Sequence, residues 1–251
     1  MGADEGRIAE STTCEVEGRR IAVLIRDGAG PAVVWLGGFR SDMRATKAEA
    51  LDRWAARAGR RFVRFDYSGH GESSGRFEDG TISDWLADAE AVIAALAGER
   101  PVLVGSSMGG WIALLAARRR SPGGLVLIAP APDFTEALMR PALPPEAAAA
   151  IARDGIWHAP SAYSLEPTPI TRALLDDGRK HLLLDGPIDS GCPVHILQGM
   201  ADPDVPWRHA LTLVDHLPER DVVLTLIREG DHRLSREPDL ARLVAAVEGI
   251  A

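Results

Sequence analysis

The stretch "PVLVGSSMGGWIALLAARR", residues 101–119, sets Gly105, Ser107 and Gly109 in a Gly-X-Ser-X-Gly register between a short apolar run and an Ala-rich one. A serine at the centre of that pattern sits on a strained strand-to-helix turn, where small residues two positions away on both sides let the chain pass closely. Ser106 fails the same test, because positions 104 and 108 are Val and Met. Ser107 is the expected nucleophile.

A serine hydroxyl is a poor nucleophile at neutral pH and needs an imidazole base oriented by a carboxylate. Seven histidines compete for that role. His195 falls in an expected strand, His209 and His216 on an expected helix, His70 in a glycine turn, and His158 and His181 in a long insertion. His232, in "REGDHRLS", instead follows the last expected strand, at the carboxyl edge where α/β sites assemble. It is the expected base. The acid should also follow a strand: Asp202 lies three residues after Gly199 in "HILQGMADPDVP", with Asp204 in the same loop and Asp133 of "LIAPAPDF" as alternatives. An Asp beside Pro is also the ordinary material of an Asx turn, but the place of Asp202 just past the strand-ending Gly199 makes it the expected acid.

Attack on an acyl carbon creates an oxyanion that requires preorganised donors, which backbone amides can supply. The Met108 N–H, at the start of the helix after Ser107, is one expected donor. The second is the Phe39 N–H, placed by the two glycines of "VWLGGFRSDM" after another strand.

These residues need a scaffold that brings several strand ends to one edge. Short β-rich runs alternate with helical patterns, which predicts an α/β fold: a mostly parallel eight-stranded sheet with helices on both faces. The strands are "TTCEVEG", "RIAVLIRD", "AVVWLGG", "RFVRFDY", "PVLVGS", "GLVLIAP", "PVHILQG" and "DVVLTLIRE", the first two forming an antiparallel hairpin. Helices are expected at about 44–58, 82–97, 107–120, 207–217 and 237–249. Between "GLVLIAP" and "PVHILQG" lies a proline-containing insertion, longer than a simple crossover needs, which reads as a few short helices linked by turns. Its span of about 133–185, within a single domain of residues 1–251, predicts a helical cap over the nucleophile. Trp111, Met139, Trp157, Tyr163 and Trp207 are the candidate substrate-binding residues.

With serine, acid and base in that chain order on alternating strands, the sequence resembles the α/β-hydrolase superfamily over nearly its whole length. "FDYSGHGES" is similar to the superfamily's DxxGxG turn after the fourth strand, and "GMADPDVP" and "GDH" to its acid and base loops. More narrowly, "GFRSDMRATKA", "RFDYSGHGESSGRF", "GSSMGGWIALLAA", "APAPDFTEALM" and "LTLIREGDHRLS" resemble the mitochondrial palmitoyl-protein thioesterase and acyl-glucuronide esterase family and its bacterial relatives. The oxyanion motif here is Gly-Gly-Phe, where many relatives have His-Gly. The resemblance implies hydrolysis of acyl esters or thioesters, with Ser107, Asp202 and His232 as the triad.

Composition narrows the alternatives. A formal net charge of −8 with interspersed signs provides no basic stripe for nucleic acid. No apolar run approaches the roughly 20 residues of a membrane span, and "MGADEG" is acidic from the outset, so a bacterial cytoplasmic enzyme is expected. Cys14 and Cys192 form no CxxC pair, and neither a metal nor a cofactor is signalled. The expected activity is that of a cofactor-independent serine hydrolase acting on a small-molecule or acylated-protein substrate. A retired hydrolase scaffold serving as a binding module and an acyltransferase with the same triad are the competing readings.

Overall fold

The computed structural model describes residues 9–161, 165–218 and 221–251. Its main sheet is built from β1 (Glu10–Val16), β2 (Arg19–Arg26), β3 (Ala29–Leu36), β4 (Arg60–Phe65), β5 (Val102–Ser106), β6 (Gly124–Ile128), β9 (Val194–Gly199) and β10 (Val222–Ile227). Their spatial order is β1-β2-β4-β3-β5-β6-β9-β10. β1 pairs antiparallel with β2, and β2 antiparallel with β4, while all later pairs are parallel. Every residue of β5 and β6 is buried, which is why both read as uninterrupted apolar runs.

Helices cover both faces. On one side lie α2 (Ile82–Leu96) and α3 (Met108–Ala117), and on the other α1 (Thr46–Ala58) and α8 (Glu237–Ile250). α2 starts at a capping box, in which the Thr81 side chain accepts from Asp84 N–H and the Asp84 carboxylate accepts from Thr81 N–H. It buries Ile82, Trp85, Leu86, Ala89, Val92 and Ile93 as one stripe against the core. All ten residues of α3 are buried, so the helix that follows Ser107 has no solvent face. α7 (Trp207–His216) follows β9 and packs on both β9 and β10.

The insertion between β6 and β9 holds a π-helical turn at Thr135–Met139, α4 (Arg140–Ala142), α5 (Pro145–Asp154) and α6 (Arg172–Gly178). It also contains a strand pair absent from the sequence reading: β7 (Ile156–Ala159) runs antiparallel to β8 (Thr168–Thr171), with Trp157 opposite Ile170. These runs of four residues, one carrying a His and the other a Pro, are too short to stand out in the sequence, and a local core packs against them. Ile151, Ile170 and Leu175 form that core, with Met139, Leu143 and Trp157 packed against it. The insertion is pinned to the main body by Asp177, whose carboxylate accepts from the Ser83 N–H and hydroxyl at the start of α2. Among the described residues, no helix is long and apolar enough to cross a membrane.

Candidate active site

Ser107 occupies the turn between β5 and α3 with φ +54° and ψ −116°, a strained conformation for a residue with a Cβ. The steric reason for the flanking glycines is measurable. A Cβ on Gly105 would fall 2.3 Å from the Gly109 carbonyl oxygen, and one on Gly109 would fall 2.1 Å from that of Leu36. Ser106 ends β5, is buried, and pairs in the ladder with Ile128.

The loops after β9 and β10 deliver the other two groups. Asp202 Oδ2 accepts from His232 Nδ1 at 2.8 Å, and His232 Nε2 lies 3.1 Å from Ser107 Oγ. These contacts link residues 30 and 125 positions apart in the chain. The two loops are themselves packed backbone to backbone, with Ala201 N–H donating to Gly230 O at 3.0 Å. The Asp202 side chain has no solvent exposure, and its charge is satisfied in full. Oδ1 accepts from the backbone N–H groups of Asp204 and Val205, both at 2.9 Å, while Oδ2 also accepts from Gln198 Nε2 at 3.2 Å. Because the carboxylate faces Nδ1, that nitrogen carries the proton and Nε2 presents its lone pair to the serine.

The other two candidate carboxylates are placed differently. Asp133 is buried, and its carboxylate accepts from the N–H groups of Leu183 and Leu184, tying the two ends of the insertion together. Burial raises its pKa. Asp204 is exposed at the cleft margin. Among the described residues, Asp202, Asp204 and His232 are near enough to share a metal ion, but an ion there would displace the Nδ1–Oδ2 hydrogen bond.

The loop after β3 lies over Ser107: a Cβ on Gly38 would come within 3.5 Å of Ser107 Cβ. The next residue, Phe39, seats its ring among Phe77, Trp85 and Phe134, which fixes the peptide that carries its N–H. Met108 N–H belongs to the first turn of α3, where no carbonyl four residues earlier is in place to accept it.

A cleft of about 930 Å³ opens onto Ser107 and His232. Leu138, Met139, Leu143, Trp157 and Ile170 of the insertion form an apolar wall, while Ser41, Asp42, Thr46, Lys47 and Arg233 line a polar one. Of the candidate substrate-binding residues, Met139 and Trp157 therefore line the cleft. Trp111 does not: it is fully buried in α3, donating through Nε1 to His181 O at 3.1 Å and packing edge-on to Phe134. Trp207 is also off the cleft, half-buried at the start of α7 with the Arg208 guanidinium 4.5 Å from its ring centre. Tyr163 falls outside the described residues.

Three supporting residues went unrecognised in the sequence. Buried His70 accepts from Arg40 N–H at 3.2 Å through Nε2, and burial lowers its pKa to about 4. Gln198, at the end of β9, donates to Asp202 and to the carbonyls of Gly199 and Val205. Lys47 donates to the Arg233 carbonyl beside His232, and burial lowers its pKa to about 8. Only His70 left a visible signal, as the His between two glycines of "FDYSGHGES".

The chain and its fold resemble known proteins. Residues 28–247 match the alpha/beta hydrolase family. The chain is 35% identical over 226 residues to the mitochondrial palmitoyl-protein thioesterase ABHD10 of Bos taurus, spanning 89% of this chain and 74% of that one, and 34% identical to the Homo sapiens protein over the same shares. A crystal structure of a candidate hydrolase from Agrobacterium vitis S4 superposes with a TM-score of 0.92 at 51% identity, covering 96% of this chain and 98% of that one. Alpha/beta hydrolase domain-containing protein 10 from mouse superposes with a TM-score of 0.87 at 32% identity, with the same coverage. The sheet order, the strained serine turn and the matched span agree: the chain belongs to the alpha/beta hydrolase family.

Proposed function

We propose that the protein hydrolyses carboxylic esters and thioesters of acyl chains through an acyl-enzyme formed on Ser107. The observation that carries this reading is the hydrogen-bonded chain from the Asp202 carboxylate through both His232 nitrogens to Ser107 Oγ. As Oγ attacks the acyl carbon, His232 Nε2 takes the serine proton, and the facing Asp202 charge stabilises the imidazolium that results. The Phe39 and Met108 amides hold the tetrahedral oxyanion, each donor worth about 3 kcal/mol. Collapse of that intermediate breaks the bond to the leaving alcohol or thiol, which takes the proton from His232. Water then repeats the sequence: His232 accepts its proton, the oxygen adds to the acyl carbon, and the carboxylic acid departs as Ser107 recovers its hydrogen.

The apolar wall of Leu138, Met139, Leu143, Trp157 and Ile170 suits an acyl chain under the insertion, leaving the polar wall for the alcohol or thiol. The relatives' name as palmitoyl-protein thioesterases supports a thioester among the substrates, whether carried by a small molecule or by an acylated protein. Cytoplasmic placement belongs to the same reading; two thiols fit a reducing compartment, and the curated relatives are mitochondrial.

The test is a series of p-nitrophenyl esters and acyl thioesters of increasing chain length, assayed with wild type and Ser107→Ala. Turnover in wild type that falls by several orders of magnitude in the variant is the expected result. Equal rates in the two proteins, or no turnover of any member by wild type, would refute the assignment.

A further inference from the structure

Arg40 directly follows the proposed oxyanion donor Phe39 and is held at both ends. Its backbone has φ +57°, and its N–H donates to His70 Nε2 at 3.2 Å. That acceptor is fixed in place, because Nδ1 of the same ring donates to Ser68 O at 3.1 Å and Tyr67, Phe77 and Trp85 wall the ring in. The side chain leaves the loop toward the insertion. Its guanidinium lies 5.7 Å from the Phe77 ring centre and donates to Pro167 O at 2.7 Å and Thr168 Oγ1 at 3.2 Å, with Glu166 at 3.6 Å. Thr168 opens β8, and Ile170 of the same strand pairs with Trp157 of β7; all three residues line the cleft. One residue therefore joins the strand pair beside the acyl wall to the peptide that follows the Phe39 amide. A planar guanidinium held by several acceptors is restrained as a unit, so a shift of β8 reaches the loop through it.

We infer that Arg40 is a positioning residue that couples the seating of an acyl chain against β7 and β8 to the placement of the Phe39 N–H. Chains long enough to press on Trp157 and Ile170 are then turned over faster, and not merely bound more tightly. This rests on the hydrolase reading above, because it assigns the Phe39 amide a place in the transition state. An interaction felt only in the transition state changes kcat, whereas apolar contact made equally by the bound ground state changes KM alone.

The experiment is steady-state kinetics on p-nitrophenyl acetate, butyrate, octanoate and dodecanoate with wild type, Arg40→Met and Arg40→Lys. In wild type kcat should rise about tenfold along the series. Arg40→Met should flatten that rise to less than about twofold while KM still falls with chain length. Arg40→Lys, which keeps the charge and a donor able to reach Pro167 O, should retain part of the rise; it also serves as the test if Arg40→Met does not fold. A wild-type kcat that is flat along the series, a variant that lowers kcat by one factor for every ester, or a variant that moves KM alone would each overturn the coupling. Failure of the hydrolase reading looks different: wild type would turn over none of the four esters, or would do so without Ser107.

Discussion

Gly109 and Leu36 are in backbone contact, so close that a Cβ on Gly109 would sit 2.1 Å from the Leu36 carbonyl oxygen. Leu36 ends β3 and leads into the loop that carries Phe39, while Gly109 is in the first turn of the helix that carries Met108. The contact therefore sets the distance between the two amides proposed to hold the oxyanion. Gly109→Ala is predicted to push these elements apart. Turnover should fall by at least about a hundredfold, the loss expected for one displaced donor, while the far-ultraviolet circular dichroism spectrum stays that of the wild type. Wild-type turnover in the alanine variant would show that the loop and helix can separate at no catalytic cost.

Labelling by a fluorophosphonate probe should be lost in Ser107→Ala and retained in Ser106→Ala. Only Ser107 sits on the strained turn with His232 Nε2 at 3.1 Å, whereas Ser106 is buried in β5. Covalent labelling that persists in Ser107→Ala, located by peptide mass spectrometry, would move the nucleophile elsewhere.

Three carboxylate variants separate three roles. Asp202→Asn should lower kcat by about ten-thousandfold with the fold intact, because an amide facing Nδ1 favours the wrong imidazole tautomer. Asp204→Asn should change it little, since the substitution keeps the Asp204 backbone N–H that donates to Asp202 Oδ1. Asp133→Asn should lower the melting temperature more than kcat, because its carboxylate accepts the Leu183 and Leu184 amides. A kcat loss for Asp133→Asn that matches Asp202→Asn would overturn this division.

Alanine at Met139 or Trp157 should shift the ratio of turnover on long and short acyl chains by roughly tenfold, about 1.4 kcal/mol of differential transition-state binding. Trp111→Ala should instead cost stability, about 3 to 5 kcal/mol for a large core aromatic, measured by urea unfolding. An unchanged chain-length profile in both cleft variants would place acyl selection outside the insertion.

Stability should decline between pH 6.5 and 4. Burial holds the folded His70 near pKa 4, whereas the unfolded imidazole titrates near 6.5, so in that window the unfolded chain binds more protons. The neutral ring's contribution is complete above about pH 6.5, and about 2 kcal/mol of it is gone at pH 5. Burial lowers His181, His195 and His209 as well, adding to the same slope. Urea unfolding at several pH values tests this, and His70→Gln should flatten the curve; an identical pH slope in the variant would remove His70 from the account.

Much of the scaffold was legible because its signals are local. Eight β-rich runs correspond to the eight strands of the main sheet, and the five expected helices correspond to α1, α2, α3, α7 and α8. Gly105 and Gly109 announced the turn at Ser107, and His232 and Asp202 were singled out because each follows a strand, where a parallel sheet gathers its loops at one edge. Tertiary structure decided what residue type and spacing leave open. Trp111 and Trp157 look alike as large apolar residues, but α3 is buried on every side, so its pattern has no period to tell core from cleft. The β7–β8 pair depends on a small core drawn from α5, α6 and the π-helical turn. Arg40 meets His70 and Thr168 across 30 and 128 residues of chain, and such contacts exist only once the sheet order has folded distant loops onto one edge.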